Sequence, residues 1–299
     1  MCTASWLIRS AGYEVLFNRD EARGRGPGRP PRVTSVRGVR VLAPVDSDAG
    51  GTWIGVNELG LTACLLNARS AGAGAAPDPG TWVSRGRLLR QLLGAASAAD
   101  LGRQLRARPL GEFRGFRVAV FEPGGSPAVW RWDGRVLTPE EARLPLVSSG
   151  VAEPRARECR ARVLARMAGE RGGLDAEALE RFHRSHRPRR GAFSPCMHRA
   201  GARTVSAVHV IVAEDEVSMR YAPGPPCATP FGAPARLARL AGVLTSRTLS
   251  SRDDFGDVRT TRGRQAAPAA ERPWRRRHPW RARMRAKQSA AEGRARIPC

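Results

Sequence analysis

Residues 1–21 read MCTASWLIRSAGYEVLFNRDE. Two short β-prone runs, 2–8 and 13–17, flank the small residues Ser10, Ala11 and Gly12, so an antiparallel hairpin is expected at the very start of the chain. The residue after the initiator methionine is a cysteine. A small second residue permits removal of Met1, and Cys2 would then carry both a thiol and an α-amine. That amine titrates at roughly 7.7–8.0. It can act as base toward the thiol beside it, as in a threonine activated by its own N-terminal amine.

Working outward, residues 21–37 are rich in Pro, Gly and Arg and read as an exposed loop. A strand is expected at 39–43, and a second hairpin pairs 52–57 with 61–67 across Glu58, Leu59 and Gly60. Residues 68–80 form a small-residue loop. A helix at 87–93 places Leu88, Leu89, Leu92 and Leu93 on one face, and Ser97 caps a helix that turns Leu101 and Leu105 inward. Strands follow at 116–121, 128–132, 135–138 and 144–148, the Asp133-Gly134 pair turning the second into the third. Helices are expected at 154–168 and 175–183, a hairpin at 205–212 and 217–221, and a last short helix at 237–244. Hairpins with helices in blocks indicate an α+β fold with antiparallel sheets. A four-layer αββα sandwich is consistent with this order, although the pattern alone does not select it.

The 299 residues suffice for one large core, and no apolar run approaches the ~20 residues of a membrane span. No secretory signal opens the chain, and a cytoplasmic location is expected. The cysteines at 2, 64, 159, 196, 227 and 299 form no CxxC pair, which argues against a zinc ribbon or a dense disulfide framework. No metal ligands are expected from this spacing. The net charge of +24 suggests nucleic acid as a partner. Yet Lys287 is the sole lysine, and the arginine excess accompanies abundant Ala and Gly, a compositional bias, so nucleic acid is not the expected partner. Residues 245–299 carry 15 basic and 5 acidic residues without apolar periodicity. They are expected to be a disordered basic tail behind a domain spanning 1–244.

Four blocks carry a resemblance. They are Met1–Trp6, Phe17–Glu21, Gly50–Asn57 running on to Leu65-Leu66-Asn67, and Cys196-Met197-His198 with Ala202–Ser206. In this order and spacing the chain resembles a bacterial member of the NRDE family, also called the transport and Golgi organisation 2 family, over roughly residues 1–235. The tetrapeptide Asn18-Arg19-Asp20-Glu21 is the motif behind the first name. The family in turn resembles cysteine N-terminal nucleophile hydrolases, the enzymes of bile-salt and penicillin V amides. That resemblance implies the αββα sandwich and a hydrolase of small-molecule amides.

The resemblance also implies roles. Cys2 would be the nucleophile and its α-amine the base. Arg19 would favour the thiolate. Asp20 would hold the new ammonium, and Asn67 would offer its side-chain N–H to an oxyanion. Arg203 would be a second cation over the site. No cofactor is needed, and the partner is a small-molecule substrate or ligand. Read without the resemblance, residues 18–21 are a loop with a local Arg19–Asp20 tie. The alternative function is a non-catalytic protein that binds or traffics haem or a lipid ligand, with Cys2, or Cys196 with His198, on haem iron. Two features depart from the hydrolase pattern. Ser148-Ser149-Gly150 stands where an asparagine is common, and Arg19 and Asp20 are adjacent rather than separated.

Overall fold

A computed structural model describes residues 2–69 and 82–240. The first hairpin forms as β1 (Cys2–Arg9) and β2 (Gly12–Ala22), paired in register from Cys2↔Arg19 to Arg9↔Gly12. Side chains alternate along them. Cys2, Ala4, Trp6, Tyr13, Val15 and Phe17 join the principal core, while Thr3, Ser5 and Asn18 meet residues of the opposite layer.

Two residue stretches read differently from the sequence. Within the expected loop 21–37 lies β3 (Gly28–Val36), paired with β4 (Val39–Asp46). Pro30 and Pro31 obscured it. They sit on the edge strand at a register shift between Arg29 and Arg32, where a missing N–H costs no ladder bond. At the other end the expected helix 237–244 is, over its described part, β13 (Ala235–Ala238). Leu237 turns into the core there with Ala235 packed beside it, and the segment adds to the edge of β12 (Glu216–Ala222).

The remaining strands follow the hairpins read from the sequence. β5 (Ile54–Asn57) and β6 (Thr62–Asn67) pair, as do β7 (Phe116–Phe121), β8 (Ala128–Trp132) and β9 (Leu137–Glu140) in succession. β10 (Leu146–Ser148) joins β1, and β11 (Ala202–Val212) joins β2 and β12. Two antiparallel sheets result, ordered β10-β1-β2-β11-β12-β13 and β3-β4-β5-β6-β7-β8-β9.

The two sheets share one apolar core, to which both contribute alternate residues. Tyr13 pins them together. Its hydroxyl bonds Gly60 O at 2.6 Å and Thr62 Oγ1 at 2.8 Å, and accepts from Thr62 N–H. Helices α1 (Arg85–Leu92) and α2 (Ala98–Arg106) cover the outer face of the seven-stranded sheet through Leu88, Leu89, Leu92, Leu101 and Leu105. Each such leucine contributes about 1.5–3 kcal/mol over exposure. Ser97 caps α2 by accepting from Asp100 N–H. Helices α3 (Glu153–Gly169) and α4 (Ala176–Arg184) cover the six-stranded sheet, with Asp175 capping α4. The layers are therefore αββα. The short loop expected at 68–80 and the tail at 245–299 lie almost wholly outside the described residues. Among those residues, no helix is long and apolar enough to cross a membrane.

Candidate active site

Where β1, β2, β4 and β6 meet the start of α1, the sheets part into a cleft of about 330 Å³. Its lining includes Cys2, Arg19, Trp53, Asn67, Trp82 and Arg85. One wall depends on a close approach that only glycine allows. A side chain on Gly51 would come within 2.3 Å of Gly86 backbone, and Thr52 N–H donates to Gly86 O at 3.0 Å.

Cys2 lies between two strands, opposite Arg19 on β2 and Ser148 on β10. Its backbone nitrogen donates to Ser148 Oγ at 2.9 Å. Burial pushes the Cys2 thiol above its ordinary range, and the charge of Asp20 pushes the same way. A thiol so placed needs a base to react near neutrality. Arg19 is buried with its guanidinium 4.2 Å over the Trp53 ring, 3.4 Å from Asp46 and 3.8 Å from Glu21. Its Nη1 is shielded and has no hydrogen-bond partner among the described residues. Asp46 also pairs with Arg25. Burial works against the Asp46 charge, but Arg25, the Asp48 N–H and Arg19 hold its carboxyl below the usual range.

Asp20 belongs to a different constellation. Strand alternation turns adjacent residues to opposite faces, and while Arg19 lines the cleft, Asp20 is buried against the helical layer. Thr204 Oγ1 donates to it at 2.6 Å, and Arg160 of α3 lies 3.6 Å away. Arg160 also bonds Thr3 Oγ1. Burial lifts the Asp20 pKa and lowers that of Arg160, and each partner's charge opposes the shift of the other. The Asp20 side chain is engaged by Thr204 and Arg160, and its backbone N–H faces the Cys2 thiol. The adjacency of Arg19 and Asp20 is thus a division between the front and back of one sheet.

Cys2, Arg19 and Asn67 converge on the cleft, whereas Arg203 does not. It is exposed on β11 opposite Glu21 and is absent from the lining, where the cations beside Arg19 are Arg25, Arg85 and Arg114, while Arg160 stands behind the sheet with Asp20. Sequence reasoning missed Arg160 among many arginines. A signal was present: Ala156, Arg160, Val163 and Met167 fall on one buried stripe of α3. It also read Ser148 only as a poor oxyanion donor, whereas the hydroxyl meets the Cys2 nitrogen. Asn57 serves its hairpin, donating to Leu93 O and Ala95 O and accepting from Leu59 and Leu61 N–H.

Cys196 and His198 do not fit haem iron as a pair of axial ligands. Sγ and Nε2 are 3.4 Å apart. Opposite ligands on metal bonds of about 2.0–2.3 Å would stand more than 4 Å apart.

Residues 1–132 match the family model described as Transport and Golgi organisation 2, which bears out the resemblance carried by the first three blocks. No curated protein matches the chain. Several solved structures are similar to it. Penicillin V acylase from Agrobacterium tumefaciens shares 13% identity over 75% of this chain and 84% of its own, with a TM-score of 0.45. The C2A mutant of conjugated bile acid hydrolase from Clostridium perfringens shares 12% over 80% and 92%, with a TM-score of 0.45. The Caenorhabditis elegans ortholog of N-acylethanolamine-hydrolyzing acid amidase shares 12% over 70% and 92%, with a TM-score of 0.46.

Proposed function

We propose that the protein hydrolyses a small-molecule amide through an acyl-thioester on Cys2, formed once Met1 has been removed. The observation that carries this reading is the Cys2 nitrogen held 2.9 Å from Ser148 Oγ, with the Cys2 side chain on a cleft shared with Arg19 and Asn67.

After loss of Met1 that nitrogen becomes an amine of pKa roughly 7.7–8.0, with the Ser148 hydroxyl to orient it. The amine takes the thiol proton, and the thiolate attacks the amide carbon. The oxyanion so formed is met by the Asn67 side-chain N–H. As the C–N bond breaks, the α-ammonium returns its proton to the departing amine. Water, deprotonated by the same amine, then opens the thioester, releasing the acid and restoring the thiol. A positioned base of this kind contributes roughly 10²–10⁴-fold. The cleft also holds Arg19, Arg25, Arg85 and Arg114 against Glu21 and Asp46. That balance favours a substrate with an anionic group.

Intact-mass measurement tests the premise, since Met1 should be missing. A thiol-reactive acyl probe should label Cys2 ahead of the other free cysteines described, Cys64, Cys196 and Cys227, and Cys2→Ala should reduce both label and hydrolysis to background. A chain that keeps Met1 throughout has no α-amine at Cys2, and the mechanism fails.

A further inference from the structure

On the six-stranded sheet's side, outside the cleft lining, four soft donors from three separate segments converge. His186 lies just beyond α4, Cys196 and His198 on the connection to β11, and Cys227 on the loop after β12. Their ligand atoms all lie within 4.8 Å of one another. We propose that His186, Cys196, His198 and Cys227 form a closed Cys2His2 zinc site that fastens these segments together.

The distances suit that ion. His198 Nε2 is 3.4 Å from the Sγ of Cys196 and 3.4 Å from the Sγ of Cys227. A tetrahedral centre with Zn–N of about 2.0–2.1 Å and Zn–S of about 2.3 Å requires N···S of about 3.5 Å. The two imidazoles meet edge-on, with centroids 5.0 Å apart and planes at 78°. His186 Nε2 is shielded from water and has no hydrogen-bond partner among the described residues. A buried ring nitrogen left in that state costs free energy unless something binds it.

The chemistry selects the metal class. Two sulfurs and two imidazole nitrogens, with no carboxylate, suit zinc rather than magnesium or calcium. Binding releases two thiol protons, and two thiolates cancel the charge of the dication. A neutral centre is tolerable here, because Arg190, Arg203 and Arg23 surround His198. Arg190, exposed and 3.4 Å from His198 Nδ1, must swing outward when Nδ1 carries the ring proton.

Supporting bonds are in place. Cys196 N–H donates to Ser185 O at 3.0 Å, and Ser194 Oγ donates to Cys196 O at 2.7 Å. Met197 exchanges two 2.8 Å bonds with Thr204, through Thr204 Oγ1 and its backbone N–H. Thr204 in turn bonds Asp20. With all four positions taken by protein the ion would be structural, steadying the segment behind Asp20. The spacing Cys-x-His with distant partners at 186 and 227 matches no linear zinc motif, so only the fold gathers it.

The test uses the full chain, reduced, stripped with a chelator and titrated with Co(II). One equivalent should produce thiolate-to-cobalt charge transfer and the visible bands of tetrahedral Co(II), and Zn(II) should abolish them. Cys196→Ser and Cys227→Ser should each lose the charge-transfer intensity of one sulfur, and His186→Ala should weaken binding at least tenfold. Cys2→Ala should leave the spectrum intact, which separates this site from the hydrolase reading. Reduced wild-type chain showing only octahedral cobalt overturns the proposal whether or not any variant folds. So does an unchanged spectrum in Cys227→Ser.

Discussion

The two helical layers are built from opposite materials. Over the seven-stranded sheet, α1 and α2 meet a continuous apolar cluster, from Val41 and Ala63 to Leu92, Leu105 and Phe116. Over the six-stranded sheet, the apolar cluster shrinks to Leu16, Val163, Leu164, Met167, Leu179 and Phe182. Buried polar groups fill the rest: Arg160 with Asp20 and Thr3, His183 with Ser5, and Asn18 with the carbonyls of His183 and Pro195. The first layer is packing. The second forms the back of the sheet that carries Cys2, and its polar ties fix strands β1 and β2 from behind.

The strongest way to break this contrast is Arg160→Met. Removing one partner of a buried pair strands the other charge, and the loss should be about 3–5 kcal/mol in urea unfolding. Adding Asp20→Asn should recover part of it. A cost no larger than that of a surface substitution would mean that the polar layer is incidental. Across the molecule, Leu89→Ala should cost about 2–5 kcal/mol through its cavity, toward the lower end where α1 can settle. It should leave the rate of Cys2 acylation unchanged, which separates packing from chemistry.

A pH series sharpens the same comparison. Burial, followed by the charges of His209 and Arg160, depresses the His183 pKa from 6.5 to about 3. Below pH ~6.5 the unfolded chain takes up a proton that the folded chain refuses. Stability present above that pH is therefore lost as pH falls, at about 1.4 kcal/mol per unit down to pH ~3. Chemical unfolding at pH 7 and pH 5 should show that slope in the wild type and a shallower one in His183→Gln.

Ser148→Ala removes one hydroxyl at the Cys2 nitrogen. It should slow acylation of Cys2 roughly tenfold, the equivalent of about 1.4 kcal/mol, with little loss of stability. Arg203→Ala should do least, within about 0.5 kcal/mol in unfolding and without effect on acylation. A large effect there would return Arg203 to the site.

What the sequence disclosed follows the same division. The leucines of α1, the Ser97 cap and the alternation of the hairpins are local signals, and those elements stand where they were expected. Strand β3 was hidden because proline speaks against a strand until its place at a sheet edge is known. The front of the site was legible in residues 1–67, because Cys2, Arg19 and Asn67 lie on hairpins whose register follows from their pattern. The rear was not. Arg160, Thr204 and Ser148 reach Asp20 and Cys2 across gaps of roughly 140–185 residues in the chain. The Cys2His2 quartet was illegible for the same reason, since no spacing rule joins 186, 196, 198 and 227.

Strand β1 has neighbours on both sides, and its first residue faces the cleft. This bears on how the protein is handled at the bench. An affinity tag or fluorescent fusion placed ahead of Cys2 would join the chain at a residue that lines the cleft. If Cys2 acts as proposed, such a fusion would deny the cysteine a free amino group, and a preparation made that way would be silent for reasons of cloning alone.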